Sequence, residues 1–267
     1  AASDVYKRQI SLLFLSDIFG NGSYDSLCKT RESTERMNMS EGNREMLLKT
    51  RGLTKQFGKH VAVDHVDMHI RRGAIYGFIG RNGAGKTTVL KMIAGLADPT
   101  AGEYEIFGCS GKSLAKVRSR VGCLIEQPGL YPNMSAQDNL MIKAELFGIR
   151  DKKYAEELLE LVGLVHAGRK KTKHFSLGMK QRLNIAQAVF EKQKIILLDE
   201  PTNALDNDGV QLIYKLLKEE KERGALVVIT THHKEDLEEI CDVVLKMTEG
   251  EPVSYTHLRA HETCADL

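Results

Sequence analysis

From Met46 onward the apolar and polar positions fall into two periods that alternate along the chain. Residues 47–50 and 61–70 alternate apolar with polar, as strands with one covered face do, and Gly58 marks the turn between them. Residues 74–79 are a nearly unbroken apolar run that reads as a buried strand, and residues 89–94 continue with helical spacing. A turn at 98–102 leads to a short strand over 103–107, and residues 121–125 form a brief core strand running into Glu126-Gln127-Pro128-Gly129. A helical block follows. Ser135 is a good N-cap for a helix over 136–147, residues 154–162 place Leu158, Leu159, Leu161 and Val162 on one helical face, and Ser176 opens a helix to about Phe190. Residues 194–199 form a strand of four aliphatics ending in an acid. A helix over 207–223 stops near Gly224, and residues 225–231 are a second fully apolar strand. A short acidic helix begins near Lys234, and residues 243–247 are a last strand. Strands apolar on both faces, alternating with helices, predict an α/β fold: a parallel sheet covered by helices, with an antiparallel start and a helical block over 133–190 added to it.

Residues 1–45 lack this periodicity, so the domain is expected over 46–250. The stretches 3–9 and 253–263 resemble translated sequencing-adapter read-through. On that reading Met37, Met39 or Met46 is the native start, residues 251–267 are a non-native or disordered tail, the native C-terminus is missing, and neither end carries function.

Composition narrows the classes. At 267 residues the chain can bury a sizeable core, and Lys+Arg 38 against Asp+Glu 36 gives no bulk charge to draw in nucleic acid. Cys28, Cys109, Cys123, Cys241 and Cys264 are odd in number and lack metal-ligand spacing, as expected of reduced thiols. The apolar stretch 10–15 is too short to span a bilayer and Asp17 follows it, so any membrane spans are expected from another chain.

The chemistry starts at Gly80-Arg81-Asn82-Gly83-Ala84-Gly85-Lys86-Thr87-Thr88, between the buried strand and the helix that follows. Glycines let the backbone wrap a phosphate, while unpaired N–H groups and the helix dipole favour its charge. Lys86 is placed to reach the β- and γ-phosphates of a nucleoside triphosphate, and the Thr87 hydroxyl to ligate Mg²⁺. Such a site needs an acid at the end of a neighbouring strand. Asp199 is the expected metal residue, and Glu200 is placed to polarise the attacking water.

Beyond Glu200, the run Pro201-Thr202-Asn203-Ala204-Leu205-Asp206 resembles the Walker B and D-loop segment of ATP-binding-cassette (ABC) ATPases. Phe175-Ser176-Leu177-Gly178-Met179-Lys180-Gln181-Arg182 is similar to their signature motif, and Thr230-Thr231-His232 to their switch-histidine loop. Phe57 matches the aromatic that stacks on adenine. The resemblance covers about residues 46–250 with every motif in the family's order. It implies a P-loop NTPase three-layer core with an antiparallel β subdomain and an α-helical subdomain.

It further implies that Gly80, Asn82, Gly83, Gly85, Lys86, Thr87 and Thr88 hold ATP in cis, with Asp206 in the D-loop. Ser176 and Gly178 would contact the γ-phosphate held by a second cassette, and His232 the γ-phosphate and Glu200. Ser176 taken alone is an ordinary N-cap. His232 is preferred over His233 because it stands ten residues before Asp242, as the family's histidine does before its own Asp.

Two positions depart from the family pattern. Aligned on Leu130-Tyr131-Pro132, Glu126 stands where a Gln usually contacts Mg²⁺, with Gln127 one residue on; a one-residue shift would give that task to Gln127. Leu177 and Met179 replace Gly and Gln in the signature. Both departures resemble the bacitracin-resistance and lantibiotic-immunity branch of ABC exporters. The resemblance therefore implies an ATPase subunit peripheral on the cytoplasmic face of the membrane. ATP and Mg²⁺ would be its cofactors, a separate transmembrane permease its partner, and a second cassette would pair with it, a homodimer being expected. No nucleic acid is expected. A rival reading is a soluble, non-transport ABC ATPase acting on ribosome or DNA; those proteins carry two cassettes or a long coiled-coil insertion, and the chain has neither.

Overall fold

The computed structural model describes residues 46–126 and 129–257; the expectations for residues 1–45, for Gln127 and for residues 258–267 lie outside the described residues. Strands β1 (Met46–Phe57) and β2 (His60–Arg71) pair antiparallel about the turn at Gly58. β1 also pairs with β4 (Ala101–Ile106), and β4 with the two-residue β5 (Cys109–Ser110), giving the sheet order β2-β1-β4-β5.

The second sheet runs β10-β9-β3-β8-β7-β6, from β3 (Ala74–Ile79), β6 (Val121–Leu124), β7 (Ile195–Asp199), β8 (Leu226–Thr231), β9 (Val243–Thr248) and β10 (Glu251–His257). All its pairings are parallel except that of β10 with β9. The strand period of two divides the core. On β7, Ile196 and Leu198 join the apolar cluster under the helical block, while Ile195 and Leu197 join the cluster beneath the antiparallel sheet and α1 (Lys86–Ala94). That division makes three layers of the α/β core, with the antiparallel sheet and the helical segment as additions.

The helical segment contains α2 (Ala136–Leu146), α3 (Lys152–Leu161) and α4 (Leu177–Ala188). The caps of α2 and α4 are where the residue pattern placed them. Ser135 accepts from the Asp138 N–H at 3.0 Å, and Ser176 from the Met179 N–H at 3.2 Å. The segment α5 (Asn207–Glu222) packs beside β8, and α6 (Lys234–Ile240) follows it.

The sheet continues past residue 250, where the domain was expected to end, into residues 251–257. They form β10, paired from Glu251↔Thr248 to His257↔Val243 with one register shift between Pro252 and Ser254. The physical cause is the two-residue loop Glu249-Gly250, where φ is +50° and +88°. Two positive-φ residues suit the twist of a tight hairpin, and Gly carries the second one without strain.

Candidate functional site

The segment from Gly80 to Thr88 turns tightly between β3 and α1. A side chain at Gly85 would be doubly excluded: φ is +96°, and a Cβ would lie 2.4 Å from the Ala62 carbonyl oxygen. Lys86 is buried, its Nζ donating to the Gly80 carbonyl at 2.7 Å and to that of Arg81 at 3.1 Å. Asn82 and Gly83 are exposed at the loop's crest, and Thr88 is half-buried in the first turn of α1.

Parallel pairing of β3, β7 and β8 ends three chains of chemistry side by side. The Thr87 hydroxyl donates to Asp199 at 2.9 Å to Oδ2 and 3.1 Å to Oδ1. Thr230, opposite Asp199 in the sheet, donates its own hydroxyl to Asp199 Oδ1 and accepts the Glu200 N–H at 3.1 Å. Glu200 sits at φ +50°, and its Oε1 lies 3.2 Å from His232 Nδ1. An ionised carboxylate only accepts, so this contact requires a proton on Nδ1. Asn203 Nδ2 donates to the other oxygen, Oε2. Thr87, Asp199, Glu200 and His232 are thereby brought into one continuous network. His233 stacks on the His232 ring, with centroids 4.1 Å apart, rather than reaching Glu200.

The signature stretch reaches the same place from α4. Gln181 Nε2 donates to the carbonyls of Glu200 (3.1 Å) and Pro201 (3.2 Å). A Cβ on Gly178 would lie 2.7 Å from the Ala204 carbonyl oxygen, so the start of α4 rests directly on the loop leaving Glu200. Asp206 ends that loop by capping α5, accepting from the Gly209 N–H at 3.0 Å. Phe57, 53% exposed at the end of β1, lies with the Lys55 Nζ 5.1 Å from its ring centroid. Among the described contacts, none joins Phe57, Ser176 or Gly178 to the phosphate loop.

Glu126 leaves β6 beside α1. The structure gives it φ +61° and an ion pair with Lys91, one helical turn past Thr87 on α1, instead of a contact with Thr87 or Asp199. The α1 cation nearby explains this: a half-exposed carboxylate leaving β6 takes the nearest ammonium.

Reading the sequence alone passed over Thr230 and Asn203. Both stand inside the motif runs; the Thr230 hydroxyl acquires its role only once β7 and β8 pair, whereas Asn203 reaches Glu200 from three residues on in the same turn.

A hydroxyl and one carboxylate at 2.9 Å suit a hard cation that completes its shell with water and phosphate oxygens, and residues Thr87 and Asp199 fit Mg²⁺ on that ground.

A phosphate loop, a strand-end acid and an adjacent Glu–His pair on a parallel α/β sheet define a nucleoside-triphosphate hydrolase. The ABC transporter family model matches residues 63–203. A bacitracin transport ATP-binding protein, BcrA of Bacillus licheniformis, is 42% identical over 218 residues, covering 80% of this chain and 71% of its own. The lantibiotic transport ATP-binding protein SrtF of Streptococcus pyogenes is 37% identical, covering 83% and 95%. Among solved structures, the ATP-binding cassette MJ0796, dimeric in a post-hydrolysis state with ADP and Pi, aligns at TM-score 0.73. It is 28% identical and covers 80% of this chain and 99% of that one. The chain belongs to the ATP-binding subunits of ABC transporters and is an ABC-type ATPase.

Proposed function

We propose that this ATPase powers the export of membrane-active peptides or similar drugs, working as a homodimer of cassettes beneath a separate transmembrane permease on the cytoplasmic face of the membrane. The observation that carries hydrolysis is the unbroken network from Thr87 through Asp199, Thr230 and Glu200 to His232. The bacitracin and lantibiotic transport relatives support the export of peptides. No described helix is long and apolar enough to cross a membrane, which is why a second chain is assigned that part.

In this reading Lys86 and the loop amides bind the β- and γ-phosphates, and Phe57 stacks on adenine. Glu200 accepts the proton of the attacking water, with His232 orienting the Glu200 carboxylate and the γ-phosphate. Thr87 and Asp199 would hold Mg²⁺, which spreads the developing phosphate charge when bound. Ser176 and Gly178, at the N-terminus of α4, would face the γ-phosphate held by the partner cassette. Glu126 is assigned to the metal shell of the loaded site, having left Lys91. Expression of the chain with a candidate permease in a sensitive bacterium tests the proposal. Bacitracin or lantibiotic resistance that disappears with Glu200→Gln supports it; unchanged sensitivity with both subunits present refutes peptide export and leaves the ATPase assignment standing.

A further inference from the structure

The Glu200 loop and the His232 loop meet at a buried carboxylate outside the catalytic network. Asp236, in α6, is 2% exposed. Its Oδ2 accepts the Thr202 hydroxyl at 2.9 Å and the Thr231 hydroxyl as well. Its Oδ1 accepts the Tyr214 hydroxyl of α5 at 2.5 Å.

The sequence positions of the donors give the cluster its meaning. Thr202 is two residues after Glu200, and Thr231 immediately precedes His232. One oxygen atom therefore fastens the loop bearing the carboxylate to the strand end bearing the imidazole. Thr231 holds the turn from the other side too, its Oγ accepting the His233 N–H at 3.0 Å. Tyr214 ties the same carboxylate to α5, its hydroxyl reaching neither loop among the described hydrogen bonds, and burial pushes its phenol pKa up, keeping it a donor. A buried carboxylate satisfied by three hydroxyls is costly to disturb, since losing any one strands charge or a polar group away from water.

We propose that Asp236 is a positioning residue for hydrolysis, holding Glu200 and His232 at their mutual distance through Thr202 and Thr231. The proposal rests on the catalytic reading of Glu200 and His232. Its consequence is that the two threonine arms control turnover, while the tyrosine arm controls only stability.

Asp236→Ala removes the acceptor of three hydroxyls at once and is expected to unfold the domain, so the arms are tested singly in the full chain. Thr231→Val and Thr202→Val should lower kcat for ATP by about 10- to 100-fold, the cost of misplacing a catalytic group by about an ångström. KM for ATP should stay within about twofold. Tyr214→Phe should lower the thermal midpoint while leaving kcat within about twofold. In a Glu200→Gln background, Thr231→Val should cause no further loss. Equal kcat losses in Thr231→Val and Tyr214→Phe, tracking their losses of thermal midpoint, would overturn the positioning role, as would Thr231→Val reducing the residual rate of Glu200→Gln by its full factor. A damaged Glu200→Gln beside an undamaged Thr231→Val overturns the Asp236 proposal alone. Normal turnover in Glu200→Gln overturns the assignment of Glu200 and the positioning role together.

Discussion

Replacing Glu200 by Gln separates shape from basicity at this site. The carboxylate stands between His232 Nδ1, 3.2 Å from Oε1, and the Asn203 amide, which donates to Oε2. A glutamine of equal length keeps both contacts: its oxygen accepts from Asn203 and its N–H₂ donates to Nδ1, the imidazole changing tautomer. None of the described side-chain contacts of Glu200 reaches Lys86 or Thr87, so nucleotide binding has no reason to suffer. Only the oxygen able to take a proton from water is lost. Removing a general base costs about 10²–10⁴ in rate, or about 3–5 kcal/mol of transition-state stabilisation. Phosphate release at saturating Mg-ATP should fall by that factor. Titration with a fluorescent ATP analogue should give an affinity within about twofold of the wild type. Gel filtration with ATP should reveal a longer-lived dimer. Phosphate release near the wild-type rate would refute the base assignment, and loss of nucleotide binding would show that the carboxylate shapes the loop instead.

Gly85→Ala should abolish nucleotide binding in the same titration. A left-handed backbone costs an L-residue about 1–2 kcal/mol, and the new Cβ would also press against the Ala62 carbonyl at 2.4 Å; wild-type affinity would contradict this. Glu126→Ala should lower Mg²⁺-dependent ATPase clearly more than Gln127→Ala, and Glu126→Gln should retain substantial activity. The reverse order would assign the metal contact to Gln127. Lys143 of α2 donates its Nζ to the Gln187 carbonyl, and burial pushes its pKa down to about 8 from 10.5. Its charge then opposes folding below about pH 8, and the penalty lifts as pH rises toward 10.5, where only the unfolded chain still holds the extra proton. The thermal midpoint of the wild type relative to Lys143→Met should accordingly rise over that window, and a pH-independent difference would contradict the burial argument.

The order of the main elements and the caps at Ser135 and Ser176 were legible in the sequence, which also offered Lys86, Thr87, Asp199, Glu200 and His232 as candidate site residues. Local chemistry writes them there. A phosphate loop needs glycines at defined spacing, a buried parallel strand needs an unbroken aliphatic run, and a cap needs a short polar side chain before the helix. Three matters were decided only by tertiary structure. Thr230 entered the site because β7 and β8 lie in register, so a hydroxyl opposite Asp199 became its donor. Glu126 went to Lys91 because α1 presents an ammonium beside the end of β6, a proximity that no spacing along the chain encodes. Asp236 gathered Thr202, Tyr214 and Thr231 from three separate segments around one buried carboxylate. Short-range pattern specifies which residues can act; the pairing of distant strands and helices brings their partners within hydrogen-bonding reach.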